Sequence, residues 1–113
     1  MTILDLSNNL IGDIGVKNIS RALNGHCLLR TLNLANNKIT HKGIKYLFLA
    51  LRSYSVLKNL VLDGNILDGS KLKSLKEMLE CNKGLLVLSL SKCSLGEEGA
   101  LFIAVGLIRN QVL

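Results

Sequence analysis

The sequence predicts an α/β solenoid, with a parallel β-sheet on its concave face and α-helices on its convex face. Three observations lead there. Leucines at Leu4, Leu32, Leu60 and Leu88 recur every 28 residues, the self-similarity that marks a repeat architecture. Each unit opens on a period-two x-L-x-L-x pattern and continues with apolar residues at helical spacing. Each therefore holds a strand, a turn and an amphipathic helix. No insertion interrupts the period, as the columns Leu6, Leu34, Leu62, Leu90 and Ile11, Ile39, Leu67, Leu95 show.

The 113 residues make one domain of about four units: 1–28, 29–56, 57–84 and 85–112. Met1, Leu29, Leu57 and Leu85 precede the four strands. Val16, Ile19, Ala22 and Leu23 form the inward face of the first helix, and Ile44, Leu47, Ala50 and Leu51 that of the second. Leu72, Leu75, Met78 and Leu79 continue the series, followed by Ala100, Ile103, Gly106 and Leu107. One unit cannot bury its own apolar faces, whereas stacked neighbours can. Gly15, Gly43 and Gly99 suit a tight turn into the helix, where positive φ is easiest without a Cβ. Lys71 breaks that column, so "DGSK" (68–71) should turn differently, with Ser70 as an N-cap.

The combined pattern L-x-x-L-x-L-x-x-[NC]-x-[IL]-x-x-x-G-x-x-x-L-x-x-x-L resembles the leucine-rich repeat of the ribonuclease-inhibitor subtype over essentially the whole chain. Proteins with that repeat include ribonuclease inhibitor, the Ran GTPase-activating protein, nucleotide-binding receptors, and axonemal and cytoskeletal scaffolds. The resemblance implies a horseshoe segment that offers an interaction surface, usually inside the cell. It also implies a structural ladder, in which Asn9, Asn37 and Asn65 bond the backbone of the neighbouring turn. Cys93 fills the fourth slot, being small, readily buried and a weak donor. Met1 fills a leucine column and Leu113 opens a fifth unit, and neither end carries a polar capping repeat. The expectation is a fragment of a longer array, or a chain whose ends are covered by partners.

Composition narrows the function classes. With 49% hydrophobic and 19% charged residues the chain is apolar enough to fold. Its longest apolar run, "ALFIAVGLI" (100–108), is well short of the ~18 residues that span a bilayer. Asp5, Asn8 and Asn9 stand where a signal peptide would be apolar. Cys27, Cys81 and Cys93 are odd in number and lack CxxC spacing, which favours a reducing, intracellular, cytoplasmic setting. The sequon Asn18-Ile19-Ser20 falls in a predicted helix with no secretion signal. No phosphate loop, nucleophile elbow or H-E-x-x-H occurs, and His26 and His41 have no ligand partners in sequence. No catalytic residue, cofactor or metal is expected.

Two surfaces are candidates for partner binding. Outward positions on the concave sheet centre on Asp5, Asn33, Asp63 and Ser89, a flat polar face without the aromatics typical of hot spots. On the convex side Lys17, Lys45 and Lys73 share a column, with successive charges about one helix diameter (~10 Å) apart. Arg21, Lys42, Lys71 and Lys76 add charge nearby, and the net charge is +6. That ridge suits an acidic protein surface, with salt-sensitive affinity. In the fourth unit the column becomes Leu101, and Phe102, Val105 and Ile108 make the helix apolar almost all round. Such a helix is covered on more than one side, by the next repeat or by a partner on Leu101, Phe102 and Val105. Tyr46, Phe48 and Leu49 give the second helix a milder version of this. Nucleic acid, membrane and small-molecule substrates are not expected. The function expected is a non-enzymatic protein–protein interaction scaffold, in a ciliary, axonemal or cytoskeletal assembly. The alternatives are the sensing repeats of a nucleotide-binding immune receptor and a regulator of a small GTPase or other enzyme. Ribonuclease inhibition itself fits poorly, because that inhibitor is acidic and this chain is basic.

Overall fold

The computed structural model describes residues 2–23, 28–52, 54, 56–97 and 99–100. Within them the elements run β1 (Ile3–Asp5), α1 (Gly12–Leu23), β2 (Thr31–Asn33), α2 (His41–Leu51), β3 (Asn59–Val61), a 3-10 turn (Gly69–Lys71), α3 (Lys73–Cys81) and β4 (Val87–Ser89). The strands form one parallel sheet in the order β1-β2-β3-β4. Leu4 lies opposite Leu32, Leu32 opposite Leu60 and Leu60 opposite Leu88. The pairing register is thus the sequence period, as it must be if each unit's leucines are to stay on the buried face. Backbone bonding between units continues past the strands. Leu6 N–H donates to Asn33 O at 2.9 Å and Asn8 N–H to Ala35 O at 2.8 Å, and the same steps recur at Leu34, Asn36, Leu62 and Gly64.

The core lies between sheet and helices. Leu32, Leu34, Leu60 and Leu62 are fully buried, with Ile39, Leu67, Ile44, Leu47, Leu51, Leu72, Leu75, Met78 and Leu79 against them. Each such side chain contributes about 1.5–3 kcal/mol by leaving water. Leu4, Leu6 and Ile11 in the first unit, and Leu88, Leu90 and Leu95 in the fourth, are only partly buried. Only a unit flanked on both sides closes completely, as in other nearest-neighbour solenoids.

Two expectations about helix faces need correction. Phe48 is fully buried rather than turned outward. It lies four residues after Ile44 and so stacks on the same inward row, while Tyr46 and Leu49 are the exposed apolar residues of α2. In α1, Ala22 is exposed and Ser20 is buried in its stead. Burial of Ser20 is tolerated because its hydroxyl donates to Val16 O at 2.7 Å.

The glycine column is glycine for a different reason from the one expected. α1 starts at Gly12 and α2 at His41, so Gly15 and Gly43 lie inside the first helical turn. Among the described residues the glycines with positive φ are Gly12, Gly64 and Gly96. A Cβ on Gly43 would collide with Asp13 of the preceding unit, and one on Gly99 would press on Leu95 and Gly69. At Gly43 and Gly99 the position is small because backbone of the preceding unit lies close, whereas at Gly15 the Ile11 side chain of the same unit fills the space. In the third unit Gly69 makes this close approach, against the Leu95 carbonyl. The cap there is Asp68, not Ser70: the Asp68 carboxylate accepts from Ser70 N–H at 3.3 Å and Ser70 Oγ at 2.8 Å.

Candidate interaction surfaces

What the exterior can do depends on how rigidly the interior holds it. Asn65 is fully buried and uses its whole amide. Its Oδ1 accepts from Asn37 N–H at 2.9 Å and Ile39 N–H at 3.1 Å, and its Nδ2 donates to Leu34 O and Leu62 O, both at 2.9 Å. Asn37 does the same one unit earlier, accepting from Asn9 and Ile11 N–H and donating to Leu6 O and Ala35 O. Asn9 is exposed and donates to Leu6 O and Ser7 O within its own turn. Cys93 is buried, with Sγ 3.1 Å from Leu62 O and 3.5 Å from Ser91 O. Burial pushes its thiol up from the usual 9.0, against an opposing pull from the Asn65 backbone.

Two further links between units were missed in the sequence. Asp13 receives Thr40 N–H at 2.7 Å on one oxygen and Thr40 Oγ1 at 2.6 Å on the other, tying the start of α1 to the start of α2. Asn82 follows α3 and is buried. Its Nδ2 donates to Leu51 O at 2.6 Å, a carbonyl at the end of α2, and its Oδ1 accepts from Gly84 and Leu85 N–H. Helix ends leave such carbonyls without intrahelical partners. An asparagine just past a helix, two residues before a glycine, was the available signal for Asn82. Nothing comparable announced Asp13, whose partner is 27 residues away.

On the concave face the four flagged side chains serve the turns beside them. Asp5 accepts from Ser7 N–H at 2.9 Å and Ser7 Oγ at 2.6 Å. Those two bonds, the hydroxyl's first, hold its carboxyl below the usual 3.8. Asn33 Oδ1 accepts from Ala35 N–H. Asp63 accepts from Ser89 Oγ at 2.6 Å and Ser91 N–H at 2.9 Å, joining the third and fourth units. Ile3 and Val87, at the two edges of the sheet, are exposed.

The convex column divides. Lys17 is half-buried, with Nζ 4.9 Å from the centroid of the Tyr46 ring, a cation–π contact between units. Lys42, Lys45, Lys71 and Lys73 are exposed. α1 carries Asp13 in its first turn, whereas α2 and α3 have no acidic residue there. Arg52–Glu77 at 4.0 Å is an exposed ion pair and contributes little, and Lys76–Glu80 at 3.9 Å is a part-exposed pair one turn apart on α3. Leu101, Phe102 and Val105 lie outside the described residues.

Between the turns of the second and third units is an open groove of about 440 Å³, lined by Asn36, Lys38, Thr40, Gly64 and Ile66. Among the described residues no group of three or more His, Cys, Asp or Glu could hold a metal. No helix among them is long and apolar enough to cross a membrane.

The comparisons with known proteins agree with this architecture. A family model described as "Leucine Rich repeat" matches residues 1–20 and 25–48. The solved structure of Leiomodin-1 actin-binding site 2 matches with a TM-score of 0.89 at 21% identity, covering 100% of this chain and 67% of that one. At such identity the likeness establishes the fold: a leucine-rich-repeat solenoid segment. No curated protein sequence matches the chain.

Proposed function

We propose that this leucine-rich-repeat protein is a non-enzymatic protein-interaction scaffold, a four-unit solenoid segment of the ribonuclease-inhibitor-like type that serves an intracellular cytoskeletal assembly. One observation carries the scaffold reading. Among the described residues no buried side-chain nitrogen or oxygen lacks a hydrogen-bond partner. Buried Asn37, Asn65 and Asn82 are consumed in joining one unit to the next, so recognition falls to the outer faces of a stiff frame. The ribonuclease-inhibitor-like subtype rests on the uniform period of 28 residues and the helical convex side.

The cytoskeletal reading draws on the likeness to a leucine-rich-repeat structure that is itself an actin-binding site. It makes filamentous actin the first partner to try. The net charge of +6 suits an acidic partner surface. Co-sedimentation with actin filaments over a salt series tests it. Saturable pelleting that weakens with salt supports the reading. Protein that stays in the supernatant at every salt concentration overturns the cytoskeletal assignment.

A further inference from the structure

We propose that Lys42, Lys45, Lys71 and Lys73, at the N-terminal ends of α2 and α3, form a docking patch for an acidic segment of a partner protein. The inference rests on the scaffold reading and names the face and the partner chemistry.

Placement carries the argument. The N-terminal end of a helix is its positive pole, where lysine is destabilising and carboxylates are favoured. α2 nevertheless begins His41-Lys42 and carries Lys45, and α3 begins at Lys73 just behind Lys71. Neither has an acid in its first turn. The two carboxylates at these helix starts are already engaged, Asp13 by Thr40 and Asp68 by Ser70 with Lys71 nearby. The ion pairs Arg52 with Glu77 and Lys76 with Glu80 use none of the four lysines. Lysine at the positive end of a helix does not stabilise it, so the cluster is not a stability feature.

Geometry makes the cluster one surface. Lys42 and Lys45 are three residues apart on one helix, hence neighbours on its face. Lys45 and Lys73 occupy the same column of adjacent packed helices, about 8–10 Å between axes. That separation is close to the Debye length of about 8 Å at physiological salt, so their fields add over the patch. Lys17 continues the column but is drawn onto Tyr46, which marks the edge of the patch.

The residue types indicate the partner. Four lysines and no arginine give mobile point charges rather than bidentate forks, which suit a flexible run of Asp and Glu. Single-stranded nucleic acid would call for aromatic stacking platforms, and the one beside the patch, Tyr46, already carries Lys17 over its ring.

The test uses fluorescence anisotropy of a labelled poly-glutamate peptide, at low and raised salt. The triple variant Lys42→Ser/Lys45→Ser/Lys73→Ser should bind about tenfold more weakly, with a flatter salt dependence. Its melting temperature should be unchanged or higher, because charges opposed to the dipoles are gone. Lys83→Ser, an exposed lysine beyond the end of α3, should bind as wild type. Unchanged binding by the triple variant overturns the patch, as does an equal loss in Lys83→Ser. Tighter binding to phosphatidylserine vesicles or duplex RNA than to poly-glutamate overturns the partner class. Co-sedimentation separates the two proposals. A triple variant that still pellets with filaments overturns the patch and leaves the scaffold. Wild type that binds poly-glutamate but not filaments overturns the filament partner and leaves the patch.

Discussion

Replacing Asn65 by alanine removes four hydrogen bonds to backbone groups, and the Leu62 carbonyl is left with the weak Cys93 Sγ donor. The N–H groups of Asn37 and Ile39 lose their acceptor, and the carbonyls of Leu34 and Leu62 lose the amide donor. All four bonds are 2.9–3.1 Å long, and Asn65 itself is fully buried. At about 1 kcal/mol for each lost bond, the change should cost about 4 kcal/mol. Against the roughly 5–15 kcal/mol of a whole domain that is a large share. Asn65→Asp should cost at least as much, since it turns an oxygen towards two carbonyls and buries a charge. Asn65→Cys, which installs the side chain found at Cys93, keeps a donor and loses strong acceptance, so about 2 kcal/mol is expected. Asn9→Ala is the control, because Asn9 is exposed and spans no unit boundary through its own side chain. It should cost under about 1 kcal/mol. Urea unfolding followed by circular dichroism reads all four. Equal losses for Asn9→Ala and Asn65→Ala would refute the reasoning, because the penalty would then not come from bonds between units.

Other perturbations separate packing from backbone strain. Gly69→Ala places a Cβ on the Leu95 carbonyl, which is backbone and cannot swing away. About 2–3 kcal/mol should be lost, against about 1 kcal/mol for Gly12→Ala, where φ is +65° but space is open. Equal unfolding midpoints for the two would contradict this. Lys92 holds φ 56° in a column otherwise filled by Asn8, Asn36 and Gly64. Lys92→Asn should therefore stabilise by roughly 0.5–1 kcal/mol, seen as a higher melting temperature. In a Cys27→Ser background Cys81, exposed, should alkylate quickly while Cys93 resists until the protein unfolds. Rapid labelling of both would sink the buried-rung reading. Because folding raises the Cys93 pKa above 9.0, its contribution is complete below that pH and is lost as pH rises beyond it. A denaturant midpoint that falls above pH 9 in wild type but not in Cys93→Ser checks the sign.

Period-two and helical patterns were enough to place the strands, the sheet register and the inward faces of α2 and α3. Each depends on spacing along one chain segment, which the sequence states directly. Contacts between units were harder to read. Phe48 was expected outside, although its place four residues after Ile44 puts it on the inward row, where it is buried. Gly43 belonged to a visible column, yet its cause, the passage of Asp13 overhead, lies 30 positions earlier. The concave residues Asp5, Asn33 and Asp63 were legible as outward polar positions. Their use as acceptors for turn N–H groups depends on short-range backbone geometry that alternation does not encode. Asn82 aligns with His26 and Tyr54 in the units before it and with Asn110 in the unit after it. A column filled by asparagine in two units of four did not single it out.

A solenoid that presents its convex lysine patch to a protein partner should lose that partner when the patch is removed. Filament co-sedimentation of three proteins side by side tests it most directly: wild type, the triple lysine variant, and Val87→Arg, which puts bulk on the exposed concave face. Wild type and Val87→Arg should pellet alike, while the triple variant stays largely in the supernatant. Loss of pelleting in Val87→Arg with retention in the triple variant would contradict it.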